Sequence, residues 1–375
     1  MRTSNKKRVC IIVSQVDRAI AFEWTVDGLK NDFDFSFILI GKKGSFLANW
    51  LREKNIPVFE LEYRGKRDAL KAVRQVYSFL KKGRFDVVHT HLVEATLYGL
   101  FPAWLQRIKR RIYTRHHSDY NYKYSPKGIK YDKLSNWWAT DIVAITEQVK
   151  QILILREKVS PKKITLIHHG IDTGFFEEKN EANLAAVSRK YNPQGRKPVV
   201  GIVARQTHWK GIQYAIPAFA ELLKTHPNAL LVLANSSGDY EAEIDKLMKE
   251  QLPEGSYVKI KYEYDTSSLY KLFDVYVHLP IDEVVEAFGQ VYVEALSAGA
   301  PSVFTLSGIA LDFIKHEENA LVVPYHNSAE VTRAMLRLLS DDELRRKLSE
   351  NGRRIVREKF SLGGFLQNLK ELYNK

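Results

Sequence analysis

Short apolar runs and longer amphipathic stretches alternate along the whole chain. In the first half the runs fall at Arg8–Val13, Phe35–Ile40, Val58–Leu61, Asp86–His89, Arg111–Thr114, Asp141–Ile145 and Ile164–Ile167. Several are apolar at almost every position, which predicts strands buried on both faces of a parallel sheet. Between them lie stretches such as Ala69–Lys82, whose apolar residues recur near the helical period. Repeated units of this kind predict a doubly wound α/β domain over residues 1–170.

The pattern lapses near Gly170. The segment NEANLAAVSRKYNPQGRKP is polar and punctuated by Pro193, Gly195 and Pro198, so residues 171–197 read as an interdomain linker. Alternation restarts with Pro198–Ala204, Ala229–Ala234, Val258–Tyr262, Val275–Leu279, Pro301–Phe304 and Ala320–Val323. A second doubly wound domain is predicted over 198–355, followed by charged helical sequence. Two such domains imply a cleft, with ligands at the carboxyl ends of the strands.

Length and composition agree with this division. At 375 residues, 45% hydrophobic and 27% charged, the chain is ordinary for a globular protein of two or three domains. No apolar run approaches the roughly 18–20 residues that span a bilayer. The N-terminal sequence has basic residues but only a short apolar stretch, Val9–Val13, and no small-residue cleavage site, which argues against secretion. A single cysteine, Cys10, gives no disulfide framework and no cysteine zinc site, and suits a reducing cytosol.

Charge changes the picture more. Residues 1–190 carry 35 Lys and Arg against 20 Asp and Glu, a balance of +15; residues 191–375 carry 22 against 24, which leaves the chain at +13. The first half is therefore expected to face an anionic partner. Trp104–Lys133 concentrates the effect, with nine Lys and Arg against two acids, interleaved with Trp104, Tyr113, Tyr120, Tyr122, Tyr124 and Tyr131. Such a mixture suits an anionic leaflet, a single-stranded nucleic acid, or simply a solvated basic face over buried tyrosines.

Candidate chemistry is narrowed first by absences. There is no G-x-G-x-x-G after the first strand and no G-x-x-x-x-G-K-[ST], so neither a dinucleotide fingerprint nor a P-loop is present. Asp32-Phe-Asp34 precedes the second strand, on the edge opposite to binding sites, and is not read as a metal pair. The doublets His116-His117 and His168-His169 cannot chelate through adjacent side chains, because neighbours in an extended chain point oppositely.

The richest stretch is Glu286-Ala-Phe288-Gly289-Gln290-Val-Tyr-Val-Glu294-Ala-Leu-Ser-Ala-Gly299-Ala-Pro301. Gly289 permits a tight turn, and Gln290–Ala298 reads as a helix stopped by Gly299 and Pro301. Glu286 then lies in the loop before the helix and Glu294 about a turn and a half inside it. Amides at the helix start suit a phosphate, and carboxylates accept hydrogen bonds from sugar hydroxyls; the plainer reading is a surface glutamate and a capping acid. Arg205-Gln-Thr-His-Trp-Lys210-Gly211 follows the first strand of the second half. A guanidinium and an ammonium there could neutralise a diphosphate without metal, or form a charged turn.

With these residues the chain resembles a retaining glycosyltransferase of family 4, with the GT-B fold. The resemblance spans nearly all of it and is strongest from Val199 to Phe360. Glu286 and Glu294 match the family's Glu-x7-Glu signature, and Arg205 and Lys210 its cation pair on the leaving diphosphate. ENALVVPYHNSAEVTRAMLRLLSDDELRRKLSENGRRIVREKFS resembles its C-terminal run; DVVHTH (86–91), YTRHHS (113–118) and HHGID (168–172) resemble its strand ends and linker. The resemblance implies a metal-independent hexosyltransferase, without a cofactor, that uses a nucleotide-diphosphate sugar as donor. The acceptor would be a lipid-linked or cell-surface saccharide bound by the N-terminal domain. It places Glu286 at the donor hexose, Glu294 at the ribose, and Arg205 and Lys210 at the diphosphate, aided by amides near Phe288, Gly289 and Gln290. Tyr264, in the Lys261–Asp265 strand end, would meet the base, and His116 would lie near the donor sugar. Residues 356–375 would return to the N-terminal domain. The resemblance also implies a cytoplasmic location, peripheral on the inner face of the membrane, in a polysaccharide-building role, and it ranks an anionic membrane above nucleic acid as the partner of Trp104–Lys133.

The sequence departs from that family in three places. The glycine-rich loop after the first strand is replaced by Ser14-Gln-Val-Asp-Arg-Ala-Ile-Ala-Phe-Glu23-Trp24. An acid expected just after Ser307-Gly-Ile-Ala310 is displaced to Asp312. Two extra residues separate Pro280 from Glu286. Sugar and acceptor choice stay open, as do a nucleotide-sugar epimerase and a non-catalytic sugar- or membrane-binding relative.

Overall fold

Each of the thirteen apolar runs is a strand in the computed structural model, which describes residues 6–178 and 180–375. The strands are β1 (Lys7–Ser14), β2 (Phe33–Gly41), β3 (Val58–Glu62), β4 (Val87–His91), β5 (Arg110–Arg115), β6 (Asp141–Ala144), β7 (Ile164–Leu166), β8 (Val199–Val203), β9 (Leu230–Ala234), β10 (Tyr257–Ile260), β11 (Val275–His278), β12 (Ser302–Phe304) and β13 (Leu321–Val322). They form two sheets, ordered β3-β2-β1-β4-β5-β6-β7 and β10-β9-β8-β11-β12-β13. Every pairing between the strands is parallel. In each sheet the strand order reverses beside the first strand, at β1/β4 and at β8/β11. Neighbouring connections diverge there and leave a crevice at the carboxyl ends.

The chain divides into two units, one running to Gly170 and including Leu362–Lys375, the other Ile171–Ser361. Residues 171–197, read above as a linker, count within the second unit. They contain the helices Thr173–Glu177 and Glu181–Tyr191, each begun by a side-chain cap, Asp172 and Asn180. Residues 356–360 complete the helix Asp342–Phe360 in that same unit, so the chain rejoins the first unit at Leu362 rather than at 356. The last helix, Leu362–Asn374, buries Leu369, Leu372 and Tyr373 among Val9, Ile11 and Phe35. Lys7 Nζ donates to the carbonyls of Tyr373 (3.1 Å) and Asn374 (3.0 Å). Among the described residues no helix is long and apolar enough to cross a membrane.

One helix of the first unit packs the wrong way round for its composition. Gly128–Trp138 buries Asp132, Ser135 and Asn136 and exposes Tyr131, Leu134 and Trp137. The reason is an ionic centre beneath it. Arg115, at the end of β5, is 1% exposed and pairs with Asp132 (2.9 Å) and with Glu157 (2.6 Å). Asn136 donates to the other oxygen of Glu157 (2.6 Å) and accepts from the Tyr113 hydroxyl. Asn121 donates to Asp132 (2.7 Å), and His117 Nε2 lies 3.2 Å from the same carboxylate. A buried guanidinium needs these partners, so the helix turns its polar side inward.

Removing the guanidinium strands two carboxylates away from water, a loss of about 3–5 kcal/mol for a broken buried pair. Arg115→Leu is therefore expected to lower the unfolding midpoint of the first unit markedly in urea. A midpoint within experimental error of the wild type would show that the centre does not hold this helix.

Candidate active site

In the second unit the crevice at β8/β11 is built by loops that lock into one another. After β8, Gly211 passes so close to the end of β11 that a Cβ would sit 1.7 Å from the Leu279 carbonyl oxygen; its φ is +70°, so only glycine fits. This fixes Lys210, the preceding residue, beside the loop that follows β11. The Ile281 amide donates to the Trp209 carbonyl (3.1 Å), and the Thr305 hydroxyl to the Pro280 carbonyl (2.6 Å). Glu286 is held by its own amide, which donates to Ser307 Oγ (3.1 Å). Gly308, at φ +58°, packs against the Glu286 backbone and Cβ.

These contacts bring two of the predicted residues into direct contact. Lys210 Nζ lies 2.5 Å from Glu286 Oε1, and His278 Nε2 lies 3.3 Å from the same oxygen. Glu286 is 7% exposed. Burial pushes its carboxyl pKa up, but the Lys210 ammonium and His278 outweigh it and hold the value down at about 2. Burial in turn depresses the His278 imidazole. The sequence reading did not include His278. Its only signal is a polar residue ending the apolar strand Val275–His278.

The helix Gln290–Ala298 has the predicted bounds, entered through Gly289 at φ +82° and left through Gly299 at φ +78°. Phe288 is buried just before it. Glu294 is its fifth residue, about one turn in, and accepts from the Tyr270 hydroxyl (2.9 Å). Here burial raises the carboxyl pKa, opposed only by that hydrogen bond. Tyr270 is a second residue the sequence reading did not single out. Arg205 follows β8 with its side chain exposed, and no described residue forms an ion pair with it. Tyr264 lies in the loop after β10, 74% exposed, edge-on to Tyr262.

His116 belongs to the first unit, just beyond β5. Its Nε2 is 3.0 Å from His91 Nδ1 at the end of β4, and its ring stacks on His169, centroids 5.5 Å apart. His89 is engaged at both nitrogens, by Tyr373 and Thr114, each at 2.8 Å. Burial depresses all four imidazoles, His89 to about 3 and His169 to about 4. They border a largely apolar cavity of about 210 Å³ that also touches Ile11, Val13, Phe22 and Leu369. The sequence doublets do diverge: His117 turns to Asp132, and His168 Nδ1 to the Ile145 carbonyl. Among the described residues no group of three or more His, Cys, Asp or Glu could hold a metal ion.

Known proteins resemble both halves. Residues 29–175 match the family model described as Glycosyltransferase Family 4, and residues 185–355 the one described as Glycosyl transferases group 1. The capsular polysaccharide biosynthesis glycosyltransferase CapM of Staphylococcus aureus is 26% identical, over 92% of this chain and 98% of that protein. The UDP-Gal:alpha-D-GlcNAc-diphosphoundecaprenol alpha-1,3-galactosyltransferase of Escherichia coli is 22% identical, over 81% and 79%. Among solved structures, Anabaena Alr3699/HepE in complex with UDP and glucose superposes with a TM-score of 0.84 at 18% identity, covering 98% of this chain and 99% of that one.

The Lys210–Glu286 pair makes a prediction about pH. A carboxyl depressed from its ordinary 4.5 to about 2 adds stability that is complete above pH 4.5 and is lost as pH falls through 2. In Lys210→Met the burial stays while the main opposing charge goes. The Glu286 pKa should rise, so the acid-side loss of stability should become smaller and end at higher pH. Carbon-detected NMR titration of Glu286 checks this; an unmoved pKa would mean that Lys210 does not hold the carboxylate.

Proposed function

The chain belongs to the glycosyltransferases of GT-B fold, and we propose that it moves a hexose from a nucleotide-diphosphate sugar to an acceptor hydroxyl with retention of anomeric configuration. The observation that carries this reading is the cation–carboxylate pair at the strand-order reversal of the second unit. An ammonium has three donors. One of Lys210's is taken by Glu286, which leaves two for a diphosphate, and the exposed Arg205 adds a guanidinium fork.

In the proposed reaction the bond between the anomeric carbon and the diphosphate oxygen breaks, and its electron pair leaves on the diphosphate. Arg205, Lys210 and the amides at Gly289 and Gln290 offset the charge that grows there, which is where preorganised donors act most strongly. The acceptor oxygen bonds to the anomeric carbon on the face being vacated, and its proton passes to a phosphate oxygen of the leaving group. Glu286, kept ionised, accepts hydrogen bonds from hexose hydroxyls. Glu294 does the same for the ribose, and Tyr264 offers a ring to the base. His116 is assigned to the sugar, as a neutral imidazole that can donate or accept. No step needs a divalent metal. The relatives named for capsular polysaccharide and for a diphosphoundecaprenol acceptor support a saccharide acceptor, lipid-linked in the sharper version. The neighbour solved with UDP makes uridine donors the first to test.

Arg205→Ala and Lys210→Ala are each expected to lower kcat by about 10²–10³. Glu286→Ala should abolish transfer while the nucleotide diphosphate still binds, whereas Glu294→Ala should weaken the nucleotide itself. Near-normal kcat in both cation variants would displace the site. A product of inverted anomeric configuration by proton NMR would overturn retention, and donor turnover without acceptor would point to an epimerase.

Transfer in excess EDTA is expected to proceed at the full rate. Activity lost in EDTA and restored by magnesium or manganese would overturn the metal-independent reading.

A further inference from the structure

The inverted helix of the first unit leaves an apolar surface exposed among the described residues. On Gly128–Trp138 the outward arc carries Tyr131 (42% exposed), Leu134 (41%) and Trp137 (61%). Lys127, Lys130 and Lys133 are exposed on and beside the same arc, and none of these lysines is ion-paired within the described residues. The helix Val93–Leu105 lies alongside and extends the surface with Val93 and Leu105, both exposed. The Trp104 and Trp137 rings meet across the two helices at 5.0 Å, and Phe101 and Trp138 at 5.2 Å. A groove of about 660 Å³ runs along this surface, bordered by Leu97, Tyr98, Phe101, Tyr131, Leu134 and Trp138.

We infer that this two-helix face docks into the interfacial layer of an anionic bilayer. The polar side of the helix is already satisfied by the Arg115 centre, so the outward apolar arc is not a register that a small rotation could correct. Exposed Trp and Tyr with aliphatic neighbours, flanked by lysines, have the composition of a face lying at the headgroup boundary. Charge complementarity selects the occupant. A second copy of this chain meeting the patch across a two-fold axis would set lysine rows against lysine rows. Tyr131 and Trp137 offer bases a stacking face, but the exposed Val93, Leu105 and Leu134 beside them give a nucleic acid no contact, whereas acyl chains take them up. An anionic leaflet accepts both the lysines and the apolar side chains.

The sequence had placed such a contact across Trp104–Lys133, and the structure reassigns its cations. Arg110 is committed to Asp141 (3.0 Å) and to the Leu372 carbonyl (3.0 Å). Arg111 donates to the carbonyls of Trp138 (2.7 Å) and Ile108 (2.6 Å). Arg115 and Tyr113 are buried. The contact therefore centres on the helix after residue 127 and includes Trp137, beyond the basic stretch.

Sedimentation of the full chain with vesicles of phosphatidylglycerol and phosphatidylcholine, against phosphatidylcholine alone, tests the inference. The wild type should bind the anionic vesicles and be released by 1 M salt, where screening shortens to roughly 3 Å. The double variant Leu134→Ser, Trp137→Ser and the triple variant Lys127→Gln, Lys130→Gln, Lys133→Gln should each lose about tenfold or more in partitioning, with unfolding midpoints near the wild type. Brominated lipid should quench the wild type more than Trp137→Phe. Binding that is absent, equal on neutral vesicles, or unchanged in the double variant would overturn the inference. So would a dimer that the double variant converts to monomer with no vesicle binding in the wild type.

Discussion

A strand and its parallel neighbour cannot be joined by a hairpin, so every connection in these sheets must climb over a face and return. That constraint covers both faces with helices and makes the strands continuously apolar. It also sends all carboxyl ends of a sheet to one edge. Where the order reverses, at β8/β11, successive loops leave in opposite directions and open a crevice. Lys210 comes from one of these loops and Glu286 from the other. The close pass of Gly211 under the Leu279 carbonyl sets their spacing. The polar chemistry of the second unit is thus hung on its apolar strands.

Two carboxyls eight residues apart are shifted in opposite directions by this arrangement. Both are driven upward in pKa by burial. Glu286 faces an ammonium and is held down at about 2, while Glu294 faces only a phenol hydroxyl and rises. An ionised acceptor and a carboxyl biased toward its neutral form therefore stand on one short segment. The difference lies in their neighbours, Lys210 for one and Tyr270 for the other.

The strands were legible because a strand buried on both faces has little choice of residues, and several of the thirteen runs are apolar at almost every position. The helix Gln290–Ala298 was equally legible from the glycines at its ends. The contact between Lys210 and Glu286 was not in the pattern, since a pairing across 76 residues leaves no periodic trace. His278 and Tyr270 were missed because one polar atom in an apolar segment changes no periodicity. The linker was misjudged for a related reason, as Glu181–Tyr191 is a polar helix with Val187 as its one buried residue. The helix Gly128–Trp138 defeated the pattern outright. Binary patterning assumes that apolar positions point inward, and a buried arginine reversed that rule locally.

The last helix carries a consequence for how the chain is made. Tyr373 closes the first unit's core, caps the His89 imidazole, and has its carbonyl gripped by Lys7, near the start of the chain. Ribosomes supply residues in order, and the whole of Ile171–Ser361 is synthesised between these partners. At about 5–20 residues per second, that interval is on the order of ten to forty seconds. During it the first sheet is complete in strands but lacks the cover for Val9, Ile11 and Phe35. The nascent chain thus presents a greasy face to chaperones while its second half is being built, and the domain that starts first finishes last.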